Sequence, residues 1–313
     1  KGKNESFNKP EFDSRKVEAD DLFVAIKGTN TDGHKYIDNV IAKNVAVIVC
    51  EIIPDSPNTD VSWIEVSSAE RALAEIADLF YDNPSSKLKL VGITGTNGKT
   101  TIATSLFNIT RELGYKCGLL STNKIMINNQ EVVASHTTPD ALALNRILND
   151  MVLTGCDYCF MEVSSHAVAQ NRIHKLNFKA GVFTNLSHDH LDYHKTFADY
   201  RDAKKAFFDT LDNSAFALVN IDDKNGEFMI QNTNATKLSY SLKSDSNYKA
   251  SIVENEFTGM MLRVQNTELW TKFVGGFNAY NLLAVYATAI NIGFDDSEVL
   301  LAISKLDMVE GRF

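Results

Sequence analysis

Short apolar runs alternate along the chain with segments whose apolar positions recur every three or four residues, which predicts strands separated by helices. Up to about residue 84, "DLFVAIKG", "YIDNVIAKN", "VAVIVCE" and "SAERALAEIADLFY" read as strand, helix, strand, helix. The turn-rich "DNPSSK", Asp82 to Lys87, breaks this pattern. From Leu88 the order restarts with the strand "LKLVGITG". The helix "KTTIATSLFNITREL" follows, with Gly114 as its stop. A second helix is predicted over "PDALALNRILNDMVLT", with Pro139 in its first turn and Gly155 just past its end. "DYCFMEV", "AGVFTNL" and "AFALVNI" are unbroken apolar strands, suited to a sheet covered on both faces. Residues 237 to 274 suggest short β-segments, and "FNAYNLLAVYATAINIGF" a final helix. The expected fold class is α/β, a small N-terminal domain over 1–86 followed by a mostly parallel, doubly wound domain over 87–309. Residues 310–313 are expected to begin a linker.

One helix breaks its own pattern. In "FADYRDAKKAFFDTL", Tyr200, Ala203, Phe207, Phe208 and Leu211 form an apolar stripe. Lys204 falls on that stripe, whereas Lys205 is expected to point away. Either Lys204 snorkels to solvent, or it is buried and its neutral amine is populated. A neutral amine can take up CO2 as a carbamate, an anion able to ligate a metal.

Composition narrows the classes. The formal charge of -9 argues against a general nucleic-acid binder. No apolar run reaches the ~20 residues of a membrane span. Four cysteines are too few for a disulfide framework in 313 residues, and a reducing cytoplasm is expected. Cys156 and Cys159 form C-x-x-C without a second such pair, and read as small buried residues.

The candidate chemistry lies in three segments. "VGITGTNGKTT", Val91 to Thr101, joins a strand to a helix through a glycine loop suited to phosphate. Lys99 offers a charge to the outer phosphates and Thr100 a hydroxyl to Mg2+. The general G-x-x-x-x-G-K-[ST] pattern is not met, because Ile93 occupies its first position. Glu162 ends a strand, where a carboxylate can hold Mg2+. "TNLSHDHLDYH", Thr184 to His194, crowds three histidines and two aspartates. Spacing alone leaves zinc, surface histidines and another functional site open there.

"GTNGKTT" resembles the shortened phosphate loop of the Mur ligase superfamily, and "NLSHDHLDYH" resembles a motif of the same enzymes. "FDSRKVEADDLFVAIKGTNTDGHKYI", "SHTTPDALAL" and "MEVSSHAVAQNR" are similar to segments of its MurE type. Those ligases add the third amino acid to UDP-N-acetylmuramoyl-L-alanyl-D-glutamate. The resemblance implies a uridine-binding first domain and a phosphate-loop ATPase second domain with a small β-rich segment. It also implies ATP, two Mg2+ ions and a carbamate on Lys204, the lysine of a Y-x-x-A-K element. Gly95, Thr96, Asn97, Gly98, Lys99, Thr100, Thr101, Asn281 and Arg312 would meet ATP. Thr100, Glu162, His190 and Lys204 would hold metal, with Lys99, Glu162, His190 and Lys204 carrying catalysis. His188 receives no role. Ser14, Thr29 and Asn30 would meet uridine diphosphate, and Thr137, Thr138, Ser164, Gln170 and Arg172 the muramoyl-dipeptide. Thr137 and Thr138 also suit a helix cap before Pro139.

The implied reaction activates a glutamyl carboxylate as an acyl phosphate and joins it to meso-diaminopimelate or L-lysine. A cytoplasmic monomer is expected, with small-molecule partners. The family's C-terminal Rossmann-like domain is expected to be absent, leaving a fragment that binds ligands without turnover. The alternatives are a non-catalytic nucleotide or UDP-sugar module, or another superfamily ligase such as folylpolyglutamate synthase.

Overall fold

The computed structural model describes residues 6–28, 31–132, 138–187 and 196–307. The chain divides into two compact units. One takes in the residues up to Pro84 together with Asp140–Ile147 and Gln170–Leu176; the other holds the rest.

The first unit is built on four parallel strands in sequential order: β1 (Pro10–Glu11), β2 (Leu22–Val24), β3 (Val47–Cys50) and β4 (Ser62–Glu65). Alternation sorts β2 and β3 between two cores. Phe23, Ile48 and Cys50 pack with Ile37 and Val40 of the short helix α1 (Ile37–Ile41). Leu22, Val24, Val47 and Val49 pack on the other face with Ala69, Leu73 and Ala74 of α2 (Ala69–Phe80). Ser68 caps α2 by accepting from the Arg71 N–H.

The second unit carries an 11-stranded sheet among the described residues. Its chain order is β5 (Lys89–Thr94), α3 (Lys99–Glu112), β6 (Cys117–Leu120), β7 (Ile125–Ile127) and β8 (Gln130–Val132). Then come α4 (Ala141–Leu153, whose first half belongs to the other unit), β9 (Tyr158–Glu162), α5 (Ser165–Ala169), β10 (Ala180–Phe183) and α6 (Phe197–Asp209). The order ends with β11 (Phe216–Asn220), α7 (Gly226–Met229), β12 (Thr236–Ser241), β13 (Tyr248–Glu256), β14 (Gly259–Val264), β15 (Thr267–Thr271), α8 (Gly276–Asn291) and α9 (Asp296–Lys305).

In space the middle of the sheet runs β6-β9-β5-β10-β11-β12, all parallel. The chain moves outward from β5 to β6, returns through β9, and crosses β5 to reach β10. That reversal opens a crevice at the carboxyl end of β5, the place where such sheets bind ligands. The register sets Ile93 of β5 opposite Glu162 of β9, and Thr94 opposite Phe183 of β10.

Both faces are covered, as expected of a doubly wound sheet. Val91, Ile93, Leu119, Phe160, Val182 and Leu218 share one core with the apolar residues of α3, α8 and α9. The opposite face receives α6. A Cβ built on Gly92 would stand 2.6 Å from the Phe207 ring, so only a glycine strand lets that ring lie so close.

The expected β-rich segment is part of the same sheet: β12 pairs parallel with β11, and β13 to β15 extend it. Two local expectations change. A further helix, α9, follows the expected final one, started by Asp295 accepting from the N–H groups of Ser297 and Glu298. Pro139 lies ahead of α4 rather than in its first turn, and Asp140 caps that helix by accepting from the Ala143 N–H. All four cysteines are free and buried, and burial pushes the Cys117 thiol up to about 12.

Candidate functional site

Strand β5 delivers the chain to the loop Gly95–Gly98, and α3 starts at Lys99. Gly98 is left-handed, at φ 88°, and a Cβ there would stand 2.4 Å from Asn281 Oδ1. At Gly95 a Cβ would fall 1.9 Å from Thr184 Oγ1. The loop is gripped from the β10 side. Thr96 N–H donates to the Asn185 carbonyl at 2.8 Å, and Asn97 N–H to Asn185 Oδ1 at 3.0 Å. Thr184 Oγ1 donates to the Asn97 carbonyl at 2.6 Å, and Ser187 N–H to Thr96 Oγ1 at 3.0 Å.

Beneath the loop lies a small cavity of about 70 Å3, lined by Thr96 to Thr101, Thr122 and Glu162. The helix start faces it with the positive end of its dipole. Glu162, 1% exposed at the end of β9, accepts from Thr100 Oγ1 at 2.8 Å. It also accepts from Thr122 N–H at 2.8 Å and Thr122 Oγ1 at 3.1 Å. A buried carboxylate facing a hydroxyl is an all-oxygen donor set, the kind a hard divalent cation takes. Lys99 Nζ lies back on its own loop, donating to the carbonyls of Gly95 at 2.9 Å and Thr96 at 2.8 Å.

Lys204 is 1% exposed and donates to the Gly95 carbonyl at 3.0 Å. Its ammonium sits 4.7 Å from the centroid of the Tyr200 ring, and Tyr200 Oη is 3.2 Å from Thr96 Oγ1. The helical stripe thus points Lys204 at the phosphate loop. Lys205 departs from expectation: it too is buried, its ammonium 5.8 Å from the centroid of the Phe228 ring and paired with Asp209 at 2.7 Å.

A larger cavity of about 500 Å3 adjoins the loop, lined in part by Asn97, Gly98, Thr101, Asn220, Tyr280 and Asn281. Asp222 anchors one wall. Its carboxylate accepts from Ser241 Oγ at 2.7 Å, Leu242 N–H at 2.9 Å, Tyr280 Oη at 2.9 Å and Ser244 Oγ at 3.0 Å. Burial pushes this carboxyl up, but the hydrogen bonds outweigh it and bring it down to about 2. Asn281 is fixed by donating to Asn278 Oδ1 at 3.0 Å.

Thr138 does not cap α4. Its hydroxyl donates to the Glu162 carbonyl at 3.0 Å and lies 3.4 Å from Ser164 Oγ. In the first unit, the Ser14 carbonyl accepts from Lys43 Nζ at 2.8 Å, and Arg172 Nε donates to Gln170 Oε1 at 2.9 Å. Thr29, Asn30, Thr137, His190 and Arg312 lie outside the described residues. Among the described residues, no three His, Cys, Asp or Glu side chains gather as a metal cluster, and no helix is long and apolar enough to cross a membrane.

Sequence reasoning missed Thr122, Asn185, Asp222, Asp223 and Tyr280. A signal for most existed. "ST" after "CGLL", "TN" after "AGVF" and "DD" after "FALVNI" are polar residues at carboxyl ends of strands, where Glu162 was sought.

Strand, glycine loop and helix, with a buried carboxylate set against the helix's first turn, define a phosphate-loop α/β protein. Residues 93–289 match the Mur ligase middle domain, and residues 11–81 match the Mur ligase family, catalytic domain. The chain belongs to the Mur ligase family. It is 52% identical, over 96% of its length, to the UDP-N-acetylmuramoyl-L-alanyl-D-glutamate--2,6-diaminopimelate ligase of Cytophaga hutchinsonii, and 52% identical to that of Bacteroides thetaiotaomicron. It spans 62% and 63% of the length of these two relatives. A solved structure of a ligase of that name superposes with a TM-score of 0.85 at 26% identity, covering 98% of this chain and 64% of that one. The MurF ligase from Thermotoga maritima in complex with ADP shares the fold, with a TM-score of 0.66 at 20% identity, over 97% of this chain and 67% of that one.

Proposed function

We propose that the chain supplies the UDP-sugar- and ATP-binding parts of an ATP-dependent ligase that joins 2,6-diaminopimelate to UDP-N-acetylmuramoyl-L-alanyl-D-glutamate. The observation that carries this is Thr100 Oγ1 at 2.8 Å from the buried Glu162 carboxylate, beside a glycine loop held by Thr184 and Asn185. Relatives at 52% identity bearing the diaminopimelate name favour that amino acid over lysine, and this ligase over a folate-directed one.

The larger cavity would take the nucleoside and the loop the phosphates, with Asn281 at the base side. Thr100 and Glu162 would hold Mg2+, with His190 and Lys204 completing the set; the metal would neutralise phosphate charge. Lys99, which donates to the loop carbonyls of Gly95 and Thr96, would turn its ammonium to a bound phosphate. The glutamyl carboxylate attacks the γ-phosphorus as the bond to ADP breaks. The amine of the diamino acid then attacks the acyl carbon, and inorganic phosphate leaves with the C–O electron pair, taking up the proton that the nitrogen loses. Positioning and fixed charge supply most of the acceleration.

At Lys204 the amine nitrogen bonds to the carbon of CO2 and releases one proton. The resulting carbamate keeps one N–H, which can go on donating to the Gly95 carbonyl. Ser14, Thr29 and Asn30 would bind uridine diphosphate, with Thr137, Thr138, Ser164, Gln170 and Arg172 on the muramoyl-dipeptide and Arg312 on the phosphates. The test is calorimetry of this chain with MgADP, with UDP-N-acetylmuramoyl-L-alanyl-D-glutamate and with a folate. Binding of the first two and not the third is expected; binding of the folate alone, or of none, would reject the proposal.

A further inference from the structure

We infer that Asp223, which no phosphate or metal need touch, is a positioning residue that holds the phosphate loop in shape through the backbone of residues 185–187. This rests on the nucleotide-binding reading above. Asp223 follows β11 and lies on the wall of the larger cavity. Its Oδ2 accepts from the Leu186 N–H at 2.8 Å, and its Oδ1 from Asn225 N–H at 2.8 Å and Asn225 Nδ2 at 3.0 Å. Leu186 sits between the two residues that hold the loop. Asn185 receives the N–H groups of Thr96 and Asn97, and Ser187 N–H reaches Thr96 Oγ1.

Where β10 ends, side chains take over backbone groups of residues 183–186. Tyr240 Oη donates to the Phe183 carbonyl at 3.1 Å, and Asn220 Nδ2 to the Thr184 carbonyl at 3.0 Å. Asp223 supplies the third tether, and the only charged one of the three. The path runs from Asp223 to Leu186 N–H, through Asn185, to the Thr96 and Asn97 amides. Its Asn225 branch leads away from the phosphate loop. The two oxygens of one carboxylate therefore serve separable ends.

That separation gives the test. MgADP affinity is measured by calorimetry for the wild type, Asp223→Ala, Asn225→Ala and Asn185→Ala, with circular dichroism to establish folding. Loss of one charge-assisted hydrogen bond in the path should weaken MgADP by ~10-fold in D223A. N225A, which trims only the other branch, should stay within ~2-fold. The losses in D223A and N185A should not add in the double variant, because both act through the same amides. Amide exchange at Thr96 and Asn97 should quicken in D223A. If D223A does not fold, Asp223→Ser, whose hydroxyl is too short to span to Leu186, carries the same comparisons. Wild-type affinity in D223A or D223S, additive losses, or an equal loss in N225A would overturn the inference. A wild type that binds no MgADP would instead reject the nucleotide reading itself.

Discussion

Lys99 and Lys204 donate to one and the same oxygen, the Gly95 carbonyl, at 2.9 and 3.0 Å. Two ammonium groups on one acceptor repel each other, most of all where Lys204 is 1% exposed. The carbamate proposed at Lys204 would set an anion beside the Lys99 ammonium in place of a second cation.

The carbamate has a direct signature. Protein equilibrated with 13C-labelled CO2 should show a carbamate carbon resonance in the wild type that is missing from Lys204→Ala. Its intensity should rise with pH at fixed dissolved CO2, since the neutral amine is what reacts. In the complete ligase K204A should lose at least ~10-fold in activity and recover part of it with short carboxylic acids. An unlabelled wild type, or a fully active mutant without rescue, would refute it.

Glu162→Gln keeps the shape of the side chain and removes its charge. MgADP affinity should fall ~10-fold, while ADP measured in EDTA changes little. The amide also turns a donor toward Thr100 or Thr122, so the melting temperature should drop. Equal losses with and without magnesium would separate Glu162 from the metal.

Gly98→Ala meets two obstacles, a left-handed backbone and Asn281 Oδ1 at 2.4 Å. Asn281 cannot swing aside freely, since it is buried and bonded to Asn278. A destabilisation of ~1–3 kcal/mol is expected by denaturant titration. Adding Asn281→Ala should recover part of it, because the clash disappears while the backbone strain stays.

Asp222 gives a pH prediction. Its folded-state carboxyl, at about 2, lies below the ordinary range, so its contribution is present above pH ~4 and lost as pH falls toward 2. Asp222→Asn should cost ~1–2 kcal/mol at pH 7, a figure reduced for partial solvent exposure. The difference between wild-type and mutant urea midpoints should shrink steadily below pH 4. A constant difference across that range would assign the loss to shape rather than charge.

The site residues legible in the sequence were those that violate a local pattern. Glu162 ends an apolar strand, Lys204 interrupts an apolar stripe, and the glycines and Lys99 stand between strand and helix. Their partners obey local rules and become visible only through distant pairing. Thr122 meets Glu162 across 40 residues, and Tyr280 meets Asp222 across 58. Lys205 was misplaced for the same reason. Helical periodicity describes one helix, whereas the Phe228 ring beside Lys205 comes from α7. Asp140 and Asp295 are cap residues by type, but Pro139 ahead of α4 and the break in apolar periodicity after α8 mask them in the sequence.

The pairing of Ile93 with Glu162 has an evolutionary corollary. Side chains in a strand alternate between faces, so removing one residue from within β9 would turn the carboxylate to the far side of the sheet and bring a neighbouring apolar residue into its place. The strand would remain as oily as before and the fold could survive, with its chemistry silently erased. Length changes in this lineage should therefore collect in the outer hairpins, and a relative that has gained or lost a residue in β9 would be a candidate for having abandoned the reaction.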